Sequence, residues 1–336
     1  MGAWGIFRAP FQPIRRRDKT DAHGSTRSSQ RTARPSSGRT SGNACAAQGY
    51  NQLKVPMLLE KVRSLGGFTE QVCKIRADWS IPDDKELWFR GEKRDYGETR
   101  LRPILYRPPK RRSLKAIPDL LKIEDDLFDA FQRCNPQLSD GPIEDDFDGY
   151  LLMQHHGGPT RLLDWSDGSL MALHFALRNK QGDESDSVVY VLDPYRLMDT
   201  LNSLPDTVQT EQRWAEYIKT HPEDSEEDES DVYLPSSGGD ERPFELPRVP
   251  SVLQFPFITR RVAAQRSQFI VFGAEPSWLS DEVAKTDSAI RCVTIDGTRT
   301  RAIRAELREC GVTESVIFPD LDGLGRELSQ LWQDRQ

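Results

Sequence analysis

The chain reads QHHGGPTRLLDWS from residue 154 to residue 166, and three changes of local structure are predicted within it. Its Gly-Gly-Pro is a strong terminator for a helix that apolar spacing predicts from about Glu144 to His155. Thr160 to Trp165 then predicts a short strand, and Ser166 or Asp167 can cap a following helix. This order indicates a domain in which helices and strands are mixed.

Helical and strand spacing alternate on both sides of that stretch. Apolar residues recur at helical spacing over about 53–65, where Gly66-Gly67 is predicted to end the helix, and over 69–79, 117–134, 170–177, 300–310 and 321–334. Short apolar runs with strand character lie at 86–91, 187–193, 268–273 and 289–295. Together they predict an α+β domain with helices and short strands around one sheet.

Two segments differ in composition from the rest. Residues 1–50 hold nine Lys or Arg and two acidic residues, and Ser, Thr, Arg, Gly and Pro dominate most of this segment. Residues 1–49 are therefore predicted to be a disordered basic tail. Seven of the nine residues from 223 to 231 are acidic and a Gly/Pro/Ser-rich stretch follows, which predicts a disordered acidic insertion at about 221–250. The folded domain is predicted to span 50–336, with a signature core at 85–195.

Charge and cysteine usage narrow the classes of function. The net charge is −7, and because residues 1–50 carry +7 the remainder carries −14, so nucleic acid is an unfavourable partner. Five cysteines without paired spacing predict neither a metal knuckle nor a disulfide framework, and a reducing compartment fits them. No apolar run approaches the ~20 residues of a membrane helix and no signal-peptide core is visible. A cytoplasmic location without membrane contact is expected.

Arg90 is the first candidate for a ligand contact. A strand delivers it between apolar residues in Trp88-Phe89-Arg90-Gly91, and Gly91 allows another group to approach the backbone closely. The planar guanidinium suits phosphate or carboxylate, because it donates two parallel hydrogen bonds. An internal ion pair, for example with Asp164, is an equally good interpretation of the same residue.

The stretch 154–166 supplies the other candidates. His155 and His156 are the natural acid/base residues, and the predicted helix start beyond the strand offers free N–H groups to an anion. The alternatives are structural: the Gly-Gly-Pro as a helix terminator, Trp165 as a core residue and Asp164 as a cap or ion-pair partner. No P-loop, dinucleotide fingerprint, Gly-x-Ser-x-Gly elbow or HExxH is present, so no metal site is predicted.

The two groups of candidate residues, around Arg90 and within 154–166, together resemble the FRG domain, which is named for its Phe-Arg-Gly. The resemblance rests on Trp88 to Gly91 and on Gln154 to Ala176, with Arg102-Pro103 and Tyr106-Arg107 between them. It continues more weakly through the residues listed next, so that about 85–325 is covered. These are Arg260-Arg261, Ala264-Gln265, Phe269 and Phe318-Pro319-Asp320-Leu321. FRG domains occur widely in bacterial and fungal proteins, and the family name alone implies no activity.

The order of motifs also resembles ADP-ribosyltransferases of the Arg-Ser-Glu type, and this looser resemblance implies a related fold with NAD as the ligand. It implies that Arg90 with Gly91 holds the pyrophosphate, that Ser166 positions the nicotinamide ribose and that His155 or His156 contacts the ligand. Thr160 and Arg161, next to this motif, are included in the predicted cofactor-binding set.

The third motif departs from the ADP-ribosyltransferase pattern. Gln265 and Gln268 stand where that family has its catalytic Glu, and an amide cannot stabilise an oxocarbenium ion as a carboxylate does. Either Asp164 or Glu92 replaces the missing carboxylate, or the site binds a nucleotide without transfer. The predicted catalytic set is therefore His155, His156, Asp164 and Gln265.

Three classes of function are left open. The first is a domain that binds a small NAD-like nucleotide and catalyses ADP-ribosyl transfer. The second is a non-catalytic module that recognises a phosphate-bearing or protein ligand. A nuclease that uses the His pair ranks last, because the acidic charge opposes a nucleic-acid substrate.

Overall fold

A computed structural model describes residues 60–107, 113–135, 146–180, 182–222, 229–236, 245–253 and 260–333. Its strands are β1 Trp88–Glu92, β2 Leu162–Ser166, β3 Ser187–Leu192, β4 Ser251–Leu253, β5 Ser267–Val271 and β6 Ile290–Ile295. They form one six-stranded sheet in the order β4-β5-β2-β1-β3-β6, in which every pair of neighbours is antiparallel. The predicted tail at 1–49 lies outside the described residues.

Helices cover both faces of this sheet. In chain order they are α1 Leu65–Asp78, α2 Ile117–Cys134, α3 Asp146–His155, α4 Ser169–Leu177, α5 Pro194–Asn202, α6 Pro205–Thr220, α7 Arg260–Gln265, α8 Trp278–Val283, α9 Thr300–Glu309, α10 Glu314–Ile317 and α11 Leu321–Gln333. The α+β class is thus confirmed, with helices and short strands mixed along the chain around a single sheet.

The strand β3 shows how the core is divided. Side chains alternate between the two faces of a strand, so Val188, Tyr190 and Leu192 pack into one cluster and Val189 and Val191 into another. The first cluster includes apolar residues of α5 and α8, and the second lies under α1, α4 and α9. A third cluster packs α2 and α3 against β5 and the start of β2. β1 and β2 are the two central strands of the sheet, and their buried side chains contribute to all three clusters.

The predicted helix at 53–65 needs correction in its described part. Val62 lies in an extended segment that forms a parallel bridge to Ile295, and its N–H donates to the Thr294 carbonyl at 2.8 Å. The helix starts only after Ser64, whose Oγ accepts from the Gly67 N–H at 3.1 Å. The two glycines therefore lie in the first turn of α1 and do not end a helix.

Part of the predicted acidic insertion is packed against the core. Val232 and Tyr233 are buried in the third cluster, and the Tyr233 hydroxyl donates to the Val249 carbonyl at 3.1 Å. Among 221–250, the residues 223–228 and 237–244 lie outside the described part of the chain. The expectation of disorder therefore does not hold for 229–236. Its few apolar residues stand among acidic neighbours in the sequence, and the acidic composition masked their tendency to pack.

Within the described ranges, no helix combines the length and apolar character that crossing a lipid bilayer requires.

Candidate functional site

The two central strands pair at a single position. β1 is paired with β3 along its whole length, but its ladder with β2 is limited to Phe89 opposite Ser166. Beyond that pair the Arg90 side chain makes the connection, since its Nη1 donates to the Asp164 backbone carbonyl at 2.7 Å. A cleft of about 630 Å³ opens at this place, and residues of β1, β2, α3, α4 and α7 line it.

Arg90 lies in the wall of this cleft and is 16% exposed. Its Nε donates to Glu92 Oε1 at 3.3 Å, so its ion-pair partner is Glu92, while the contact with Asp164 uses the backbone. Neither contact occupies Nη2, so the guanidinium keeps donors for a ligand in the cleft. The two interpretations of Arg90, anion contact and internal ion pair, are thus compatible in one geometry.

Asp164 presents its carboxylate to the cleft. Its Oδ2 accepts a hydrogen bond from Gln154 Nε2 at 2.9 Å, and among the described residues the carboxylate has no ion-pair partner. Desolvation raises the pKa of Asp164, and the positive charge of Arg90 opposes that rise. A carboxylate held by an amide and open to a cleft is available for chemistry.

Glu92, the other candidate carboxylate, is engaged with two arginines. Its Oε1 receives Arg90 Nε, and Arg107 Nη2 lies 3.7 Å from the same oxygen. Burial, and next the charge of Arg90, lower the pKa of Arg107. Of the two predicted replacements for the missing glutamate, Asp164 is therefore the less constrained.

His155 is the last residue of α3 and His156 follows it, and both line the cleft with their ring centroids 5.5 Å apart in an edge-to-face arrangement. Burial lowers the pKa of His155 to about 4, and the charge of nearby Arg261 acts in the same direction. At neutral pH the His155 ring is uncharged and can accept a hydrogen bond. It is a weak base, because few protons bind it above pH 5.

We expect the His155 ring to stay neutral down to about pH 4 in the folded protein. The unfolded chain takes up this proton near pH 6.5, so stability falls as the pH drops from about 6.5 towards 4. Titration of the histidine ring signals by NMR, assigned with a His155→Asn variant, measures the midpoint. A His155 midpoint near 6.5 would contradict this description of its surroundings.

Ser166 and Gln265 meet at one edge of the cleft. The Ser166 hydroxyl donates to the Gln265 carbonyl at 2.7 Å and accepts from the Gly168 N–H at 3.1 Å. These contacts tie the end of β2 to α7 and to the turn before α4. Both residues line the same cleft as Arg90, although the Ser166 hydroxyl is already used within the protein.

Gly91 also lines the cleft, but its glycine character is needed for packing. A Cβ at this position would lie 1.9 Å from the Ala172 carbonyl oxygen of α4. Because backbone atoms cannot move aside like a flexible side chain, no larger residue fits while α4 crosses β1 here. The close approach expected at Gly91 is thus made by a helix of the protein itself.

Thr160 and Arg161 do not reach the cleft. The Thr160 hydroxyl donates to Gln154 Oε1, and Arg161 is fully buried with its Nε 2.5 Å from Glu124 Oε2. The Arg161 guanidinium also donates to the backbone carbonyls of Tyr233 and Phe272. Arg161 therefore connects the start of β2 to α2 and to the packed segment 229–236. Neither Thr160 nor Arg161 lines the cleft, so neither is placed to make the predicted contact with a cofactor bound there.

Arg178, Arg261 and Phe318 in the wall of the cleft belong to a cluster for which the sequence predicted no role. Arg178, Arg261 and Arg326 lie with their guanidinium carbons 4.4, 4.5 and 4.9 Å from the centre of the Phe318 ring. Glu314 accepts from two of these arginines, Arg178 and Arg326. Burial opposes ionisation of Glu314, but hydrogen bonds from His174 and these arginines hold its pKa well below the usual range. The adjacent pair Arg260-Arg261 is the sequence feature from which this cluster could have been predicted.

Within the described residues, no group of three or more His, Cys, Asp or Glu side chains is placed to bind a metal ion. A family model comparison matches residues 85–185 to the FRG domain. A search of curated proteins and a search of solved structures gave no significant match. The matched segment includes β1, β2 and α4, and with them Arg90, His155 and Asp164. The chain therefore contains an FRG domain, and the two strands between which the cleft opens belong to it.

Proposed function

We propose that the cleft between β1 and β2 binds a nucleotide of the NAD kind and transfers its ADP-ribosyl group. The observation that carries the proposal is the position of Arg90 and Asp164. Next to the one residue pair that joins β1 to β2, the Arg90 guanidinium lies beside Asp164. The Nη2 of Arg90 is not used by the contacts described above, and the Asp164 carboxylate is open to the same cleft.

The charge of the cleft supports an anionic ligand. Five cationic side chains line it against two carboxylates, and one of those carboxylates, Glu92, contacts two of the arginines. The cations are Arg90, Lys93, Arg107, Arg178 and Arg261. The chain as a whole carries −7, so this local excess of positive charge distinguishes the cleft from the average surface and attracts phosphate groups.

Aromatic side chains supply surfaces for the rings of a nucleotide. Tyr96 and Phe175 line the cleft, whereas the ring of Phe318 is already packed against three arginines and, with centroids 6.0 Å apart, against Phe175. Planar bases stack on such rings, with stabilisation of about 1–3 kcal/mol per base in other proteins. A cleft that combines arginines with aromatic rings suits a dinucleotide better than a simple anion.

Asp164 is proposed to provide the negative charge for transfer. The bond between the nicotinamide nitrogen and ribose C1′ breaks, and nicotinamide leaves with the bonding electron pair. The carboxylate stabilises the oxocarbenium ion that forms, and the acceptor nucleophile then bonds to C1′ and loses its proton to solvent. Gln265 stands at the edge of this site, where its amide can position a ligand but cannot supply charge.

Replacing Arg90 with lysine tests the binding step. Lysine keeps the charge but loses the fork that contacts Asp164 and faces the ligand, so we expect NAD to bind at least about tenfold more weakly. Isothermal titration calorimetry measures the affinity. Arg196→Lys is the matched control, because Arg196 forms a surface ion pair with Asp287 and does not line the cleft. Equal affinity in wild type and Arg90→Lys would contradict the proposal.

A recognition module for a phosphate-bearing ligand is the second candidate. It is favoured by the contacts of Glu92 and Ser166, which are both engaged with other protein groups. Under that function a phosphopeptide or another phosphorylated protein target binds in an Arg90-dependent manner, and NAD is bound weakly or not at all and is never cleaved. Measuring nicotinamide release alongside binding separates the two.

A further inference from the structure

In the part of the chain that the structure describes, one of the two carboxylate oxygens of Glu92 has no partner. The residue is 5% exposed and lines the cleft, and its Oε1 receives Arg90 and Arg107. Its Oε2 is buried and has no hydrogen-bond partner among the described residues. A buried carboxylate oxygen without a donor costs about 1–3 kcal/mol or more, so native proteins seldom leave one unpaired.

Among the described residues, the neighbours of Glu92 do not supply the missing donor. Side chains alternate along a strand, so Arg90 and Glu92 lie on the same face of the sheet as Tyr190, which is opposite Arg90 on β3. The Tyr190 hydroxyl is also buried without a partner, so it does not serve Glu92. Burial, and next the charge of Glu92, raise the pKa of Tyr190.

The chemistry of Oε2 restricts what can bind there. An ionised carboxylate only accepts hydrogen bonds, so its partner must be a donor. Arg90 and Arg107 already contact Oε1, which offsets the negative charge and allows a phosphate to lie nearby. The sugar hydroxyls of a nucleotide are donors of this kind, because they lie within a few ångströms of its phosphates.

We propose that Glu92 Oε2 is a subsite of the cleft that accepts a hydrogen bond from a neutral donor on the ligand, a ribose hydroxyl or the carboxamide of a nicotinamide. This inference rests on the proposed function, since it assigns a part of the NAD-like ligand to a place in the same cleft. Arg90 would then recognise phosphate, and Glu92 would recognise the sugar or the amide next to it.

The test compares NAD with five analogues by calorimetry on the full chain. Four analogues each lack one ribose hydroxyl, and the fifth carries a carboxylate in place of the carboxamide. In wild type we expect one of the five to bind at least about tenfold more weakly than NAD, which is the usual loss when a hydrogen bond to a charged group is removed. In Glu92→Gln, which keeps the shape but removes the charge, that difference should shrink severalfold.

Tyr190→Phe is the matched control. It removes the neighbouring buried and unpartnered hydroxyl, but Tyr190 is not among the residues that line the cleft. The analogue pattern should be the same in this variant as in wild type, and its melting temperature should not fall. Thermal unfolding of Glu92→Gln verifies that the variant is folded before its affinities are compared.

The outcomes separate this inference from the function on which it rests. If NAD binds in an Arg90-dependent manner and all five analogues bind equally well, a water molecule satisfies Oε2 and the subsite is wrong, while the proposed function stands. The same conclusion follows if an analogue is weakened equally in wild type and Glu92→Gln. If no nucleotide binds to wild type, both proposals are overturned.

Discussion

Replacing Glu124 with glutamine is expected to lower the free energy of unfolding by about 3–5 kcal/mol, the usual effect of leaving a buried charge without its partner. Glu124 and Arg161 are both fully buried, and Arg161 Nε lies 2.5 Å from Glu124 Oε2. Glu124 Oε1 also accepts from the Arg161 backbone N–H at 2.9 Å and from the Tyr150 hydroxyl. One substitution thus weakens three contacts that join α2, α3 and β2.

Urea unfolding followed by circular dichroism measures this change. Asp287→Asn provides the comparison, because Asp287 pairs with Arg196 at the surface and is 90% exposed on its side chain. Surface ion pairs contribute about 0–1 kcal/mol, so that variant should unfold almost like wild type. A loss below about 1 kcal/mol for Glu124→Gln would show that the buried network does not hold these elements together.

Asp164→Asn is expected to reduce ADP-ribosyl transfer or NAD cleavage by about 100-fold or more, in line with the loss of a charged group that stabilises a transition state. Asparagine keeps the size of the side chain and one oxygen that can accept from Gln154 Nε2, but it removes the charge. NAD affinity should be unchanged or tighter, since a negative charge beside the phosphates is lost. In wild type, activity should decline as the pH falls through the raised pKa of Asp164.

Release of nicotinamide from labelled NAD measures this rate. Asp167→Asn is the control: Asp167 lies three residues further along, pairs with Arg266 and does not line the cleft. Equal rates in Asp164→Asn and wild type would remove Asp164 from the chemistry. Measurable NAD binding with no turnover in wild type would favour the recognition module.

Much of the fold was predictable because its elements carry strong local patterns. The helix predicted at 117–134 has those bounds in the structure, where Leu120 and Phe128 are buried on one of its faces. The strand at 187–193 is found as β3, whose six residues are all buried. Local spacing is sufficient where an element buries a regular face.

Three of the missed elements lack such a face or depend on distant partners. No residue of α6 is buried, so its sequence shows no apolar stripe to detect. β4 has three residues and is defined by pairing with β5. Val62 is extended because it pairs with Ile295, far away in the chain.

The candidate site was predictable in part for similar reasons. His155 ends α3, and Arg90 and Asp164 are the middle residues of β1 and β2, whose pairing with each other stops next to them and leaves the cleft. Arg161 was assigned to the site because it is cationic and adjacent in sequence. Its partner Glu124 is 37 residues away, and only the folded chain shows that the pair is buried.

Hydrogen–deuterium exchange of the full chain with and without NAD tests the central claim most directly, because it measures both whether the ligand binds and where. We predict that NAD slows exchange of the backbone amides at 93–96 and 154–158, which border the cleft. Exchange in α6, which has no residue in the cleft lining, should not change. Unchanged exchange throughout, or protection confined to regions away from β1, β2 and the end of α3, would contradict the assignment of a nucleotide to this cleft.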